Sequence, residues 1–548
     1  MESESESESE SESVNQVQIT TTPAKAKSIE EQYRIVKRSV DARQRDIKVL
    51  LTVLCDDEGH YLPIDSPIPL YEAPVYQDVH QAAKQVHIIG AGPAGLFAAL
   101  TLLEHGVKPI IYERGKEVSE RKKDIALLNR NEGLNPESNY CFGEGGAGTF
   151  SDGKLFSRSK KKGNMQRVME IFHYFGAADT VLYETHAHIG SDKLPTIIKN
   201  MRECILSHGG EIHFETCMDE PLFDRLIATN EPILLAIGHS AHDTYRMLAA
   251  KGVAMEDKGF AMGVRVEHPQ SLINQLMYHL SAEGGPTAKR SYSEAILQQS
   301  GLPNASYALV TQVEGRGVYS FCMCPGGHIV PAGSTADGCV VNGMSASHRN
   351  SPYANSGIVV ELHSEDIINL SAQRSYSEAV MQRSGLSGEA GLPCLQFQEE
   401  LETMAKHHGG PHNEAPAQRL RDFVEGRLSK DLPATSYLPG VVSSPMHEWL
   451  PAIIGKRLQQ AFRDFDRKYP GFLTNEAVIL GVESRSSSAV RIVRDPETRQ
   501  SISHPNLYPC GEGAGYAGGI TSSALDGIES AFSIINTLPL YSSTPLLL

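Results

Sequence analysis

Apolar residues along the chain fall into short runs of strand length separated by segments with helical spacing, and the clearest alternation covers residues 85–113. Gln85–Ile89 (QVHII) reads as a short buried strand, Pro93–His105 places its apolar positions at helical intervals, and Lys108–Glu113 (KPIIYE) reads as a second strand. The three predict one βαβ unit. Pro232–Gly238 (PILLAIG) has a buried-strand pattern that ends in a turn, and from Glu476 to Ser530 the pattern returns to strand, Gly-rich loop and helix. Between them, from about Phe260 to Phe472, short β-like runs mix with helical ones. This return predicts a discontinuous α/β domain over 84–260 and 474–540, interrupted by an α+β insertion over 261–473.

Ahead of it, residues 29–55 hold a charged segment with helical character and then the β-rich run Lys48–Cys55. We expect a small α+β domain over 25–80. It includes a Pro-rich linker, Leu62–Ala73, where proline fixes φ and removes backbone donors. Residues 2–13 are a strict Glu-Ser alternation, which cannot bury enough apolar surface to offset its ordering entropy, so 1–24 are expected to form a disordered acidic tail. Its serines stand among acids and could accept phosphate or contact a protein partner. A thirteen-residue segment also recurs: RSYSEAILQQSGL at 290–302 and RSYSEAVMQRSGL at 374–386. Two copies cannot form a solenoid, and a duplicated surface helix is the plain reading.

With 548 residues the chain is long enough for two to four domains at roughly 150 residues each. Its 40% hydrophobic and 21% charged residues are ordinary for a globular protein. A net charge of −16 argues against a phosphate-backbone binder, so no nucleic-acid partner is expected. No apolar run approaches the roughly 20 residues of a membrane span. Nine scattered cysteines and an N-terminus without signal or transit features suit a reduced cytoplasmic protein. His186/His188 and His407/His408 lack companions at a metal-ligand spacing, so no metal is expected.

The candidate chemistry lies at the strand–helix junctions. A pyrophosphate needs close backbone N–H donors and the positive end of a helix, with no side chains in the way. Gly90, Gly92 and Gly95 meet that need: a tight turn, an open approach, and close helix–strand packing. Pro93 sits in the first helical turn, where its missing N–H costs little. Glu113, about 20 residues on, is placed to accept hydrogen bonds from both ribose hydroxyls, which speaks against a 2′-phosphate. Far downstream, Leu507–Ile520 (LYPCGEGAGYAGGI) is a second strand ending in a Gly-rich loop and helix, with Glu512 as the acid for a ribityl chain. A simple NAD dehydrogenase has no use for this second loop, so FAD is the expected cofactor.

Taken together, Gly90–Gly95 with Glu113-Arg114-Gly115, Cys141–Lys154 (CFGEGGAGTFSDGK), Ala236–Ala241 (AIGHSA), Cys322–Gly327 (CMCPGG) and Gly511–Gly519 (GEGAGYAGG) resemble the largely uncharacterised family of FAD-dependent, or NAD(FAD)-utilising, dehydrogenases. The resemblance runs from about residue 30 to 535. It implies a two-part Rossmann-type FAD domain of the glutathione-reductase kind, an inserted substrate-type domain and a small N-terminal domain, and it supplies no substrate. The residues it carries to the cofactor are Gly90, Gly92, Pro93, Ala94, Gly95, Glu113, Arg114, Gly145, Gly146, Gly148, Gly238, Gly511, Glu512, Gly513, Gly515, Gly518, Gly519 and Ile520. The two RSYSEA segments depart from the family pattern within the insertion.

Gly143–Gly153, almost free of large side chains, suits close approach to a flat ring, with Lys154 as a candidate cation beside the flavin or a plain surface lysine. Cys322 and Cys324 invite a redox reading, since a thiol pair beside a flavin can relay electrons, but their Cys-x-Cys spacing in a regular strand strains a bond between them, so buried structural cysteines are the expectation. No His or Cys demands a covalent flavin link, so a dissociable FAD is expected. The chain then reads as an oxidoreductase passing a hydride or electron pair between a small-molecule substrate and a second acceptor, with NAD(P)H as a transient donor. The alternative is a flavin-binding redox sensor without turnover.

Overall fold

The computed structural model describes residues 15–42, 47–67, 69–156, 164–279, 302–372, 392–538. The Glu-Ser stretch lies outside the described residues, as does all of the repeated segment except Leu302.

A five-stranded parallel sheet is built in the order Leu507–Pro509, Ile233–Leu235, Gln85–Ile89, Lys108–Tyr112, Glu211–His213. Its inner strands Ile233–Leu235 and Gln85–Ile89 are largely buried because helices cover both faces. Helix Pro93–Glu104 links the two strands of the βαβ unit, Gln85–Ile89 and Lys108–Tyr112, and is buried along most of its length. Helix Ile520–Thr537 crosses it so closely that a Cβ on Gly527 would stand 2.1 Å from the Ala94 carbonyl oxygen. This contact brings the two Gly-rich junctions, about 420 residues apart in the chain, together at the carboxyl end of the sheet.

The insertion forms a seven-stranded mixed sheet in the order Val310–Val313, Arg316–Cys324, Tyr353–Leu362, Phe260–Pro269, Val478–Glu483, Ala415–Arg419, Val441–Ser443. Only the last pair is parallel. Helix Ala452–Lys468 covers it with Ile454, Leu458, Ala461, Phe462 and Phe465, an apolar stripe at helical spacing. The insertion therefore extends past the expected limit of 473. The run VILGVE at 478–483 looks like a returning Rossmann strand in one dimension, but it pairs antiparallel with Phe260–Pro269 and Ala415–Arg419. Periodicity cannot tell the two kinds of buried strand apart.

The N-terminal unit is a three-stranded antiparallel sheet, Asn15–Thr21, Lys48–Cys55, Ile35–Asp41, packed under helix Pro23–Glu30. Two expectations change here. Residues 15–24, read as tail, are strand and helix, because Val17 and Ile19 alternate with polar neighbours and pair with Leu51–Val53. The charged segment read as helical holds a strand instead, its Lys37 and Arg38 lying on a sheet edge where charge is tolerated. Arg38 donates to Glu30 (2.7 Å) and Glu184 (2.9 Å), fastening this unit to the dinucleotide-type domain. Among the described residues no helix is long and apolar enough to cross a membrane.

Candidate functional site

A cavity of about 670 Å³ opens where the carboxyl ends of the parallel strands meet the insertion. Of the residues expected at a cofactor, Gly90, Gly92, Pro93, Ala94, Glu113, Arg114, Gly146, Gly148, Gly238, Gly511, Glu512, Gly518, Gly519 and Ile520 line it, as does Lys154. Gly95, Gly145, Gly513 and Gly515 stand behind the wall. There they let segments approach: a Cβ on Gly95 would lie 2.0 Å from the Gly90 carbonyl oxygen, and one on Gly513 would lie 2.4 Å from that of Gly238.

Two helices start at the cavity without a side-chain cap, at Gly92 and at Gly519. Their first N–H groups need an acceptor, and the helix dipoles favour an anion. At Gly238, Gly518 and Gly519 a Cβ would meet no atom within 4 Å. The fold itself does not require glycine there for packing, so that room suits a ligand. Uncapped helix starts and a wall of small residues fit the pyrophosphate and flat ring of FAD.

The loops are held by buried charges that the chain spacing did not predict. Glu113, 5% exposed, accepts from the N–H groups of Ala91 (2.8 Å), Gly115 (2.9 Å) and Gly143 (2.9 Å). A carboxylate offers about four lone-pair sites, so three are taken and both ribose hydroxyls cannot be accepted as expected. Asp526 does the same for the second loop, accepting from Gly511 N–H (2.7 Å) and Arg494 (2.7 Å). Although burial opposes it, Arg494 keeps this carboxyl below the usual range. Arg121, fully buried, donates to the carbonyls of Asn139, Glu144 and Gly146 at 2.7–2.8 Å and so shapes the 143–148 loop. Burial brings its guanidinium down to about 10. Arg114 is fixed between Glu137 and Asp243, over the ring of Phe142.

Glu512 stands 3.6 Å from His239, and burial pushes its carboxyl up to about 7. Burial, with Arg485 adding to it, takes His239 down to about 3, so this imidazole is neutral. Lys154 is no plain surface lysine. Its Nζ lies 3.2 Å from Asp152, 3.8 Å from Cys322 Sγ and 3.6 Å from Cys324 Sγ. Asp152 also takes Arg349 at 2.6 Å, and these two cations hold it well below the usual carboxylate range despite burial. Tyr319, Cys322, Arg349 and Arg485 complete the wall from the insertion side; the sequence pattern marks none of them as a site residue, and the spacing of Cys322 reads as structural. Nothing local marks them, since Lys154 and Cys322 are 168 positions apart. Among the described residues no cluster of three metal-ligating side chains occurs.

Residues 259–486 match the family described as FAD-dependent protein, C-terminal domain-like, residues 83–145 match an FAD binding domain, and residues 7–56 match a domain of unknown function. An uncharacterized protein of Clostridium beijerinckii is 38% identical over 529 residues, covering 92% of each chain. Among solved structures, CtdE in complex with FAD is 10% identical over 82% of this chain and 84% of its own, with a TM-score of 0.27. The L-amino acid deaminase from Proteus vulgaris is 11% identical over 87% and 97%, also at 0.27. Superpositions this loose say nothing about the reaction.

Proposed function

The chain belongs to the FAD-dependent protein family, and we propose that it is an FAD-dependent oxidoreductase in which a small molecule held by the insertion exchanges a hydride or electron pair with the cofactor. One observation carries this reading: the Gly-rich loops of the dinucleotide-type domain and the insertion's strand Arg316–Cys324 share a single cavity. A bound molecule touching Tyr319 or Cys322 stands in the same space as Gly146, Gly148 and Lys154.

FAD, when bound, supplies the two-electron chemistry, and the protein's task is binding, orientation and electrostatics. Gly92 and Gly519 open the helix starts to the pyrophosphate, Glu113 and Asp526 hold the loops that present them, and Lys154 sets positive charge at the cavity wall. Such a charge favours an anionic reduced ring. Glu512, its carboxyl raised to about 7, is able to hold or move a proton near neutral pH, and His239, which stays neutral there, can exchange a hydrogen bond with it. We take the cofactor to be dissociable and NAD(P)H to be a transient donor entering the same cavity.

The test is anaerobic titration of the FAD-loaded protein with NADPH, NADH and panels of amines and hydroxy acids, followed by flavin absorbance. Bleaching by one class identifies the donor. Inertness to all of them would favour a flavin-binding sensor over a turnover enzyme.

A further inference from the structure

Cys322 and Cys324 stand on a β-bulge, where the register between Arg316–Cys324 and Tyr353–Leu362 shifts between Phe321 and Cys324 and Cys322 takes φ +45°. In a regular strand, side chains two apart stand too far from each other for a bond. Here the bulge turns both sulfurs onto one ammonium, that of Lys154, at 3.8 and 3.6 Å. Cys324 is buried behind, its Sγ donating to the Cys322 carbonyl (3.3 Å) and lying 3.5 Å from Arg265. Cys322 faces the cavity. One sulfur is therefore accessible and cation-paired, and the other is sheltered within reach of it.

We propose that Cys322 and Cys324 form a reactive dithiol that exchanges with disulfides entering the cavity, Cys322 attacking and Cys324 resolving. In the first step the Cys322 thiolate attacks one sulfur of RS–SR; a Cys322–SR bond forms, the RS–SR bond breaks and RS⁻ leaves. In the second, Cys324 Sγ attacks Cys322 Sγ, its proton passes to the departing thiolate and RSH leaves. The substrate disulfide is reduced by two electrons and the protein pair is oxidised to a Cys322–Cys324 disulfide.

The surroundings support the division of roles. Lys154 and Asp152 face the pair from the glycine-rich loop, Arg265 and Glu483 from the neighbouring strands, with Arg349 and His188 around Asp152. The Cys324 thiol and the Lys154 and Arg265 cations hold Cys322 below the ordinary thiol range, while its neighbour pushes Cys324 up. An attacking thiol gains from such depression, and a resolving thiol stays protonated until needed.

The test is reaction of the full chain, without added cofactor, with the aromatic disulfide 5,5′-dithiobis(2-nitrobenzoate), read as thionitrobenzoate release and by peptide mapping. We expect a fast phase releasing two thionitrobenzoates per chain and leaving Cys322 linked to Cys324. Its rate should change less than about twofold between pH 6 and 8, whereas a thiol near pKa 8.5 slows about tenfold per unit below that value. Cys324→Ser should release one thionitrobenzoate and keep the mixed disulfide on Cys322, and Lys154→Met should make the rate fall more steeply toward pH 6 than in the parent. A wild-type fast phase that maps to Cys141 or Cys217, or that stops at one release, overturns the proposal without recourse to any variant.

Discussion

Glu113→Gln separates two tasks for one side chain. The carboxylate accepts from three backbone amides, Ala91, Gly115 and Gly143, in a buried setting. A glutamine carbonyl has two lone pairs, so one amide loses its acceptor and meets an NH₂ donor instead. An unpaired buried donor costs about 1–3 kcal/mol, and the two surviving bonds each lose about 0.5–1.5 kcal/mol when the acceptor becomes neutral. The loops should therefore open more easily by about 2–6 kcal/mol, which is roughly thirtyfold to twenty-thousandfold in local opening at about 1.4 kcal/mol per tenfold. Hydrogen exchange of the cofactor-free protein, followed by mass spectrometry, reads this directly in peptides spanning 88–96, 112–118 and 140–148. Faster exchange in all three, with distant peptides unchanged, is the expected result. Unchanged exchange in those peptides together with weakened FAD binding would refute the clamp and return Glu113 to a ribose ligand alone.

Three further outcomes follow from the same geometry. Gly527→Ala places a Cβ 2.1 Å from the Ala94 carbonyl oxygen, so the crossing helices must part; thermal unfolding should show a loss of about 1–3 kcal/mol, and the gain that alanine brings to a free helix would contradict the close contact. A Cβ on Gly518 would meet no atom within 4 Å, so for Gly518→Leu calorimetry should find stability within about 0.5 kcal/mol of the parent, while FAD uptake falls more than about a hundredfold; unimpaired uptake would remove this loop from the site. Glu512 has its carboxyl raised to about 7 from 4.5, so its contribution is full below pH 4.5 and is lost as pH rises through 7. Glu512→Gln, which does not titrate, should match the parent in acid and exceed it by about 1–3 kcal/mol at pH 8 in urea unfolding of the cofactor-free protein; a constant difference across that window would contradict the shift.

The parts of the site that were legible in the sequence are those whose physics is local. Gly90–Gly95 announces itself because turn, open approach and helix packing all fall within six residues, and Glu512 stands out because its loop repeats the same strand-to-helix logic. Glu113 was found for its position at a strand end, yet its partners include Gly143, thirty residues on, and no spacing rule reveals that a carboxylate is already occupied. The same limit hid the boundary of the insertion, since Val478–Glu483 is apolar in either sheet and only its partners decide which it joins. Cys322 and Cys324 were judged by the geometry of a regular strand, and the bulge that invalidates that geometry arises from pairing with Tyr353–Leu362. In the N-terminal unit, Lys37 and Arg38 suggested a solvated helix because charge patterning does not show that a neighbouring strand, Lys48–Cys55, is waiting to pair.

The measurement that bears most directly on the whole account is the visible absorption spectrum of the purified protein, loaded with FAD if it emerges colourless, before and after acid precipitation. Flavin bands at about one FAD per chain, all of it released into the supernatant, are the expected result. A protein that stays colourless and cannot be loaded would contradict the two-loop FAD site on which the proposed function stands.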